Sequence, residues 1–146
     1  MVTTYIDSSV LVASYVSESR STVARQAMAA VPQLPYTPLH HLEVRNAFRL
    51  LVGRKRLTTA ESAAVLLHLE DDVAAGRLMQ APLDLYATFS RAEALSARHA
   101  NRSLSRSLDI LHVAAALELS CSRFISLDAR QVRLAAACGL RAIDLT

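Results

Sequence analysis

The chain has 146 residues, 52% of them hydrophobic, a length and apolar content that suit one ordinary domain able to bury a core without disulfide or zinc support. With three Gly and four Pro it is neither collagen-like nor low-complexity, and no apolar stretch approaches the roughly 18 to 20 residues of a membrane span. The formal charge of +3 conceals a bias, because Lys55 is the only Lys among sixteen Lys and Arg, and Arg suits planar phosphate and carboxylate partners.

The N-terminus has no basic region followed by an apolar stretch and a small-residue cleavage site, so the expected location is the cytoplasm. Residues 2–6, β-branched and aromatic, read as a first strand, and Ser8-Ser9 can cap a helix that follows. A second helix fits residues 21–30, stopped by Pro32, and residues 34–37 a short strand. Pro38 suits the first turn of a helix reaching about Arg54, with Leu39, Leu42, Leu50 and Leu51 on its apolar side. Thr58-x-x-Glu61 reads as a capping box for a helix ending near Gly76. A strand over 78–81 follows, then a helix from Leu85 to about His99 capped by Asp84. Ser105 or Ser107 opens a helix to about Ser120, residues 124–127 form a strand, 129–138 a helix closed by Gly139, and 140–145 a last strand. Strands separated by helices pair in parallel, with helices on both faces. The expected fold is α/β, a three-layer α/β/α sandwich around a central parallel sheet, in a single domain over residues 1–146. Cys121 and Cys138 are expected as reduced thiols, since their spacing fits no zinc signature.

Four carboxylates sit against apolar segments, where folding alone would not put them. Asp7 and Asp128 end the first and fourth strands, Glu43 shares a helical stripe with Leu39, Ala47 and Leu50, and Asp109 shares one with Val113, Ala116 and Leu117. Ligands of open parallel sheets bind beyond the carboxyl ends of the strands, which gives the four acids a common address. Taken singly, each has a plainer account: Glu43 pairs with Arg45 or Arg49, Asp109 is a first-turn helix acid, and Asp7 and Asp128 cap strand ends. Taken together, gathered carboxylates repel, and Mg²⁺ or Mn²⁺ relieves the conflict because hard cations choose oxygen ligands. One or two such ions would make a hydroxide from bound water and stabilise the leaving oxygen in phosphodiester hydrolysis. Ser9 and Ser126 are near enough in sequence to orient a ligand water, or merely cap a helix and fill a strand position.

The segments 5–11 (YIDSSVL), 42–47 (LEVRNA), 107–116 (SLDILHVAAA) and 124–128 (FISLD) resemble, in order and spacing, the motifs of PIN-domain nucleases, in particular the small VapC-type toxins. The resemblance spans nearly the whole chain. It implies a PIN-like fold and a Mg²⁺- or Mn²⁺-dependent endoribonuclease with Asp7, Glu43, Asp109 and Asp128 as catalytic and metal-binding acids. It further implies an RNA substrate, a homodimer, and a cognate antitoxin protein covering the site. Ser126 stands where the family often has Thr, which keeps the hydroxyl. No further acid follows closely after Asp128, so that residue is expected to act through water.

Other features carry less weight. His40 and His41 are adjacent on a helix and point apart, which argues against a zinc cluster with Glu43. His112 could reach the Asp109 carboxylate or simply pack. Asp71-Asp72 and Arg54-Lys55-Arg56 read as solvated surface, and Arg98, Arg102 and Arg106 lead into the Asp109 helix, where they could meet phosphates. There is no Walker loop and no dinucleotide glycine fingerprint. A receiver domain would need a late Lys, and a haloacid-dehalogenase-like phosphatase an Asp where Ser9 stands. The alternative is a catalytically silent PIN-like module that binds RNA or protein, against which the presence of all four acids argues.

Overall fold

Short β-branched and aromatic runs alternate with longer helical ones throughout the computed structural model, which describes residues 3–146. In chain order the elements are β1 (Thr4–Ile6), α1 (Ser8–Tyr15), α2 (Ser21–Ala29), β2 (Leu34–Tyr36), α3 (Pro38–Gly53) and α4 (Thr59–Ala74), then β3 (Leu78–Gln80), α5 (Leu85–Ser103), α6 (Ser107–Glu118), β4 (Arg123–Ser126), α7 (Ala129–Ala137) and β5 (Arg141–Asp144). The expected elements are all present, within a few residues of their expected ends; Val2 lies outside the described residues. No helix among them is long and apolar enough to cross a membrane.

The chain divides into two compact units, residues 1–7 with 82–146, and residues 8–81. In the first, three parallel strands lie in the order β1-β4-β5, with Ile6 opposite Ile125 and Ile125 opposite Ile143. Tyr5, Ile6 and Phe124 are fully buried, and the Tyr5 and Phe124 rings stack at 5.5 Å. Such uninterrupted burial marks a parallel sheet covered on both faces. α6 presents seven consecutive buried residues, Ile110 to Ala116, and packs with α5 and α7. In the second unit β2 and β3 pair in parallel, Leu34 opposite Leu78, and α1 packs against α2, α3 and α4.

Capping explains most of the boundaries. Thr58 and Glu61 form the expected reciprocal box, Glu61 N–H donating to Thr58 Oγ1 at 3.0 Å and Thr58 N–H to Glu61 Oε1 at 3.3 Å. Asp84 accepts from Ala87 N–H at 3.0 Å.

Two expectations need correction. α5 runs past His99 to Ser103 and stops at Leu104, in the left-handed region at φ 55°, with no Gly to announce the stop. α6 opens at Ser107, one of the two expected starts; the Ser105 hydroxyl bonds Ser103 at 2.9 Å, and Arg106 N–H donates to the Asp109 carboxylate at 3.3 Å. The buried stripe of α3 is His40, Val44 and Phe48, while Leu42 and Leu50 are exposed. His40 is buried, and its Nδ1 closes a box with Thr37, accepting from Thr37 N–H at 3.0 Å.

Cys121 is 5% exposed, and burial pushes its thiol up to about 11. The thiol should therefore resist alkylation at pH 8 until the protein unfolds. Because the folded value lies above the ordinary 9.0, its neutral form favours folding below about pH 9, and that contribution should fade as pH rises through about 11. Cys121→Ala should remove this part of the alkaline loss in a melting series; an unchanged profile would assign the loss elsewhere.

Candidate active site

The β1–β4 ladder continues one step past the strands, with Asp7 N–H donating to Ile125 O at 3.1 Å. Asp7 thus stands at the carboxyl end of β1, and Asp128 just past the end of β4, on strands that neighbour at about 4.8 Å. Asp7 is 5% exposed. A carboxylate so enclosed stays charged only with partners or a cation.

Asp128 is the N-cap of α7, its Oδ1 accepting from Arg130 N–H at 2.9 Å, with Arg130 Nε at 3.5 Å. Asp109 lies in the first turn of α6, where it accepts from Arg106 N–H and stands 3.7 Å from Arg106 Nε. Both acids lie at the N-terminal end of a helix, where the backbone dipole is positive.

A residue the sequence reading passed over links them. Gln131, fully buried, donates from Nε2 to the Asp109 backbone carbonyl at 3.2 Å and accepts at Oε1 from the Ser126 hydroxyl at 2.9 Å. Ser126 Oγ in turn accepts from Asp128 N–H at 2.9 Å. Ser126 is itself fully buried, so its hydroxyl serves the backbone of the site. The spacing Asp128-x-x-Gln131 was the available signal, since it matches a capping box. The structure uses only its Asp half as a cap.

Glu43 and Ser9 belong to the other unit. Glu43 Oε1 accepts from the Ser8 hydroxyl at 2.9 Å, a partner adjacent to the one singled out in the sequence. The plainer pairing of Glu43 with Arg45 does not occur: Arg45 meets Glu70 at 3.4 Å. Ser9 is half-buried in the first turn of α1.

His112 follows its packing account, its Nδ1 lying 2.7 Å from the Tyr5 hydroxyl with both residues buried. Asp72 is not plain surface, because it accepts a hydrogen bond from Tyr15, and burial, then this bond, push the Tyr15 hydroxyl well above its ordinary value. Asp71 and the 54–56 basic run are exposed as expected.

Among the described residues no three His, Cys, Asp or Glu side chains group as a cage ready for a metal. That does not disqualify Mg²⁺, which keeps several waters and is commonly held by one or two carboxylates plus substrate phosphate. The donors fit such an ion: an enclosed Asp7 at one strand end, and Asp109 and Asp128 tied to the next strand by one buried hydrogen-bonded chain. All are hard oxygen ligands.

No family model matches the chain, and no curated protein matches it in sequence. Solved structures do match, among them the crystal structure of FitAcB from Neisseria gonorrhoeae, with a TM-score of 0.65 and 14% identity over 97% of this chain and 97% of that one. At that identity the likeness bears on fold, and it agrees with the expectation from sequence: the chain has a PIN-like α/β fold built on parallel strands.

Proposed function

We propose that the chain is a Mg²⁺- or Mn²⁺-dependent endoribonuclease of the PIN-domain kind, acting as the toxin of a toxin–antitoxin pair in the VapC manner. The observation that carries this reading is the place of Asp7 and Asp128 just past the carboxyl ends of the neighbouring strands β1 and β4, with the Asp109 backbone tied to the Asp128 turn through Gln131 and Ser126, at the edge where such folds bind ligands. The fold shared with FitAcB supports it, as does the ordered resemblance of the motifs along the sequence.

In this reading residues 1–146 are one nuclease domain. Asp7 and Asp109 would hold the cation and Asp128 would act through water; Glu43, whose carboxylate accepts from the Ser8 hydroxyl, is the fourth acid that the motif resemblance implies. The cation would supply an acidified water and positive charge for the leaving oxygen. The residues do the rest. Burial screens Asp7 from bulk water, and Arg106 stands close enough to Asp109 to meet an incoming phosphate. Fifteen Arg against thirteen acids, several of them drawn to the site, leave a surface suited to RNA. A cognate antitoxin covering the site and a second copy forming a homodimer are the partners this reading implies.

One observation favours the silent-module alternative: Asp109, Asp128 and Glu43 each have a local hydrogen bond that a purely structural carboxylate would also make. Two experiments separate the readings. Purified protein free of antitoxin should cut structured RNA with Mg²⁺ or Mn²⁺, and EDTA or Asp7→Asn should abolish cleavage; activity that survives Asp7→Asn would sink the assigned site. Asp128→Asn keeps a capping oxygen, and Asn caps about as well as Asp, so its stability should stay within about 0.5 kcal/mol of wild type while cleavage falls at least about tenfold. Full cleavage by that variant would make Asp128 a cap alone.

A further inference from the structure

The buried amide of Gln131 has a fixed orientation. The Asp109 carbonyl can only accept, so Nε2 must face it and Oε1 must face Ser126. Oε1 cannot donate, so the Ser126 hydroxyl gives its proton to Gln131, and its oxygen is left to accept from Asp128 N–H. Donors therefore run one way, from Asp128 N–H through Ser126 and Gln131 to the Asp109 carbonyl. No member can be turned round without leaving a polar atom unsatisfied where Gln131 and Ser126 are both 0% exposed.

The two ends of this chain are the backbones that carry two of the acids. At one end is the first turn of α6 with Asp109, and at the other the turn from β4 into α7 with Asp128. α6 and α7 pack against each other through Ala- and Leu-rich surfaces. Apolar contacts of that kind are non-directional and tolerate small sliding movements. A hydrogen-bonded link has a narrow range of length and angle, so it sets a register that the apolar contacts leave loose.

We propose that Gln131 is a positioning residue for the cation site: it fixes the Asp109 turn relative to the Asp128 turn, and so holds the carboxylates at the separation the cation requires. This rests on the nuclease reading above. Gln131 touches neither substrate nor cation, and it acts through the backbones on either side of it. Outer residues that orient ligands in this way are commonly worth 10- to 100-fold in metal affinity, roughly the effect to be expected here.

The test is Mn²⁺ binding to the metal-free protein, measured by calorimetry and by the rise in melting temperature with added Mn²⁺. Gln131→Met keeps the side-chain length and loses both hydrogen bonds. It should fold with the far-UV spectrum of wild type, melt somewhat lower without metal, and bind Mn²⁺ roughly 10- to 100-fold more weakly. Ser126→Ala should weaken binding similarly, Ser126→Thr should restore it, and the Ser126→Ala, Gln131→Met pair should bind no worse than the weaker single variant, since both cut one chain. Should Gln131→Met fail to fold, the Ser126 variants carry the test alone. A Gln131→Met protein that melts lower yet binds Mn²⁺ like wild type would overturn the proposal while leaving the nuclease reading intact. Wild type that binds no Mn²⁺, or an Asp7→Asn variant that binds it equally well, would overturn both.

Discussion

Everything at the candidate site depends on the junction where a buried parallel strand turns directly into a helix. β1 reaches α1 through Asp7 alone, and β4 reaches α7 through Leu127 and Asp128. A junction this short leaves the helix's first N–H groups facing the strand end, where they need an acceptor. A carboxylate at such a place is favoured twice, by hydrogen bonds to those N–H groups and by the positive end of the helix, an interaction of about 0.3–1 kcal/mol per helix end. Asp128 takes this position at α7, whereas Asp109 lies in the first turn of α6, which follows a helix, and accepts from Arg106 N–H there. The two strand–helix junctions therefore place Asp7 and Asp128 at the carboxyl ends of neighbouring strands.

Much of this was legible in the sequence because it rests on local chemistry. The capping box at Thr58 and Glu61, the Asp84 cap and the strand runs around Ile6 and Ile125 need only neighbours along the chain, and each formed as expected. What failed was decided by tertiary contacts. The apolar face of α3 read as Leu39, Leu42, Leu50 and Leu51, but the fold buries His40, Val44 and Phe48 and leaves Leu42 62% exposed. Asp72 read as surface because its partner, Tyr15, is 57 residues away. Gln131 escaped notice because an isolated polar residue in a helical pattern is normally solvent-facing, and only the fold brings the Asp109 carbonyl to it.

The four acids stood out in the sequence because a charge inside an apolar segment is conspicuous, but their hydrogen-bond partners did not. Glu43 was weighed against Arg45 and Arg49 on the same helix, whereas Ser8 supplies the hydrogen bond.

The same geometry bears on whether a carboxylate that caps a helix is thereby used up. It is not, because an ionised carboxylate has two oxygens and about four lone-pair positions, of which a cap occupies one. Asp128 caps α7 through Oδ1 alone, which leaves Oδ2 outside the cap, and Asp109 meets the Arg106 N–H and guanidinium through Oδ2 alone. Capping fixes the rotamer and costs one lone pair, so a capping acid keeps oxygens that a cation could take. On the proposed reading, the hydrogen bonds that hold these acids at their helix N-termini also fix where the remaining oxygens point.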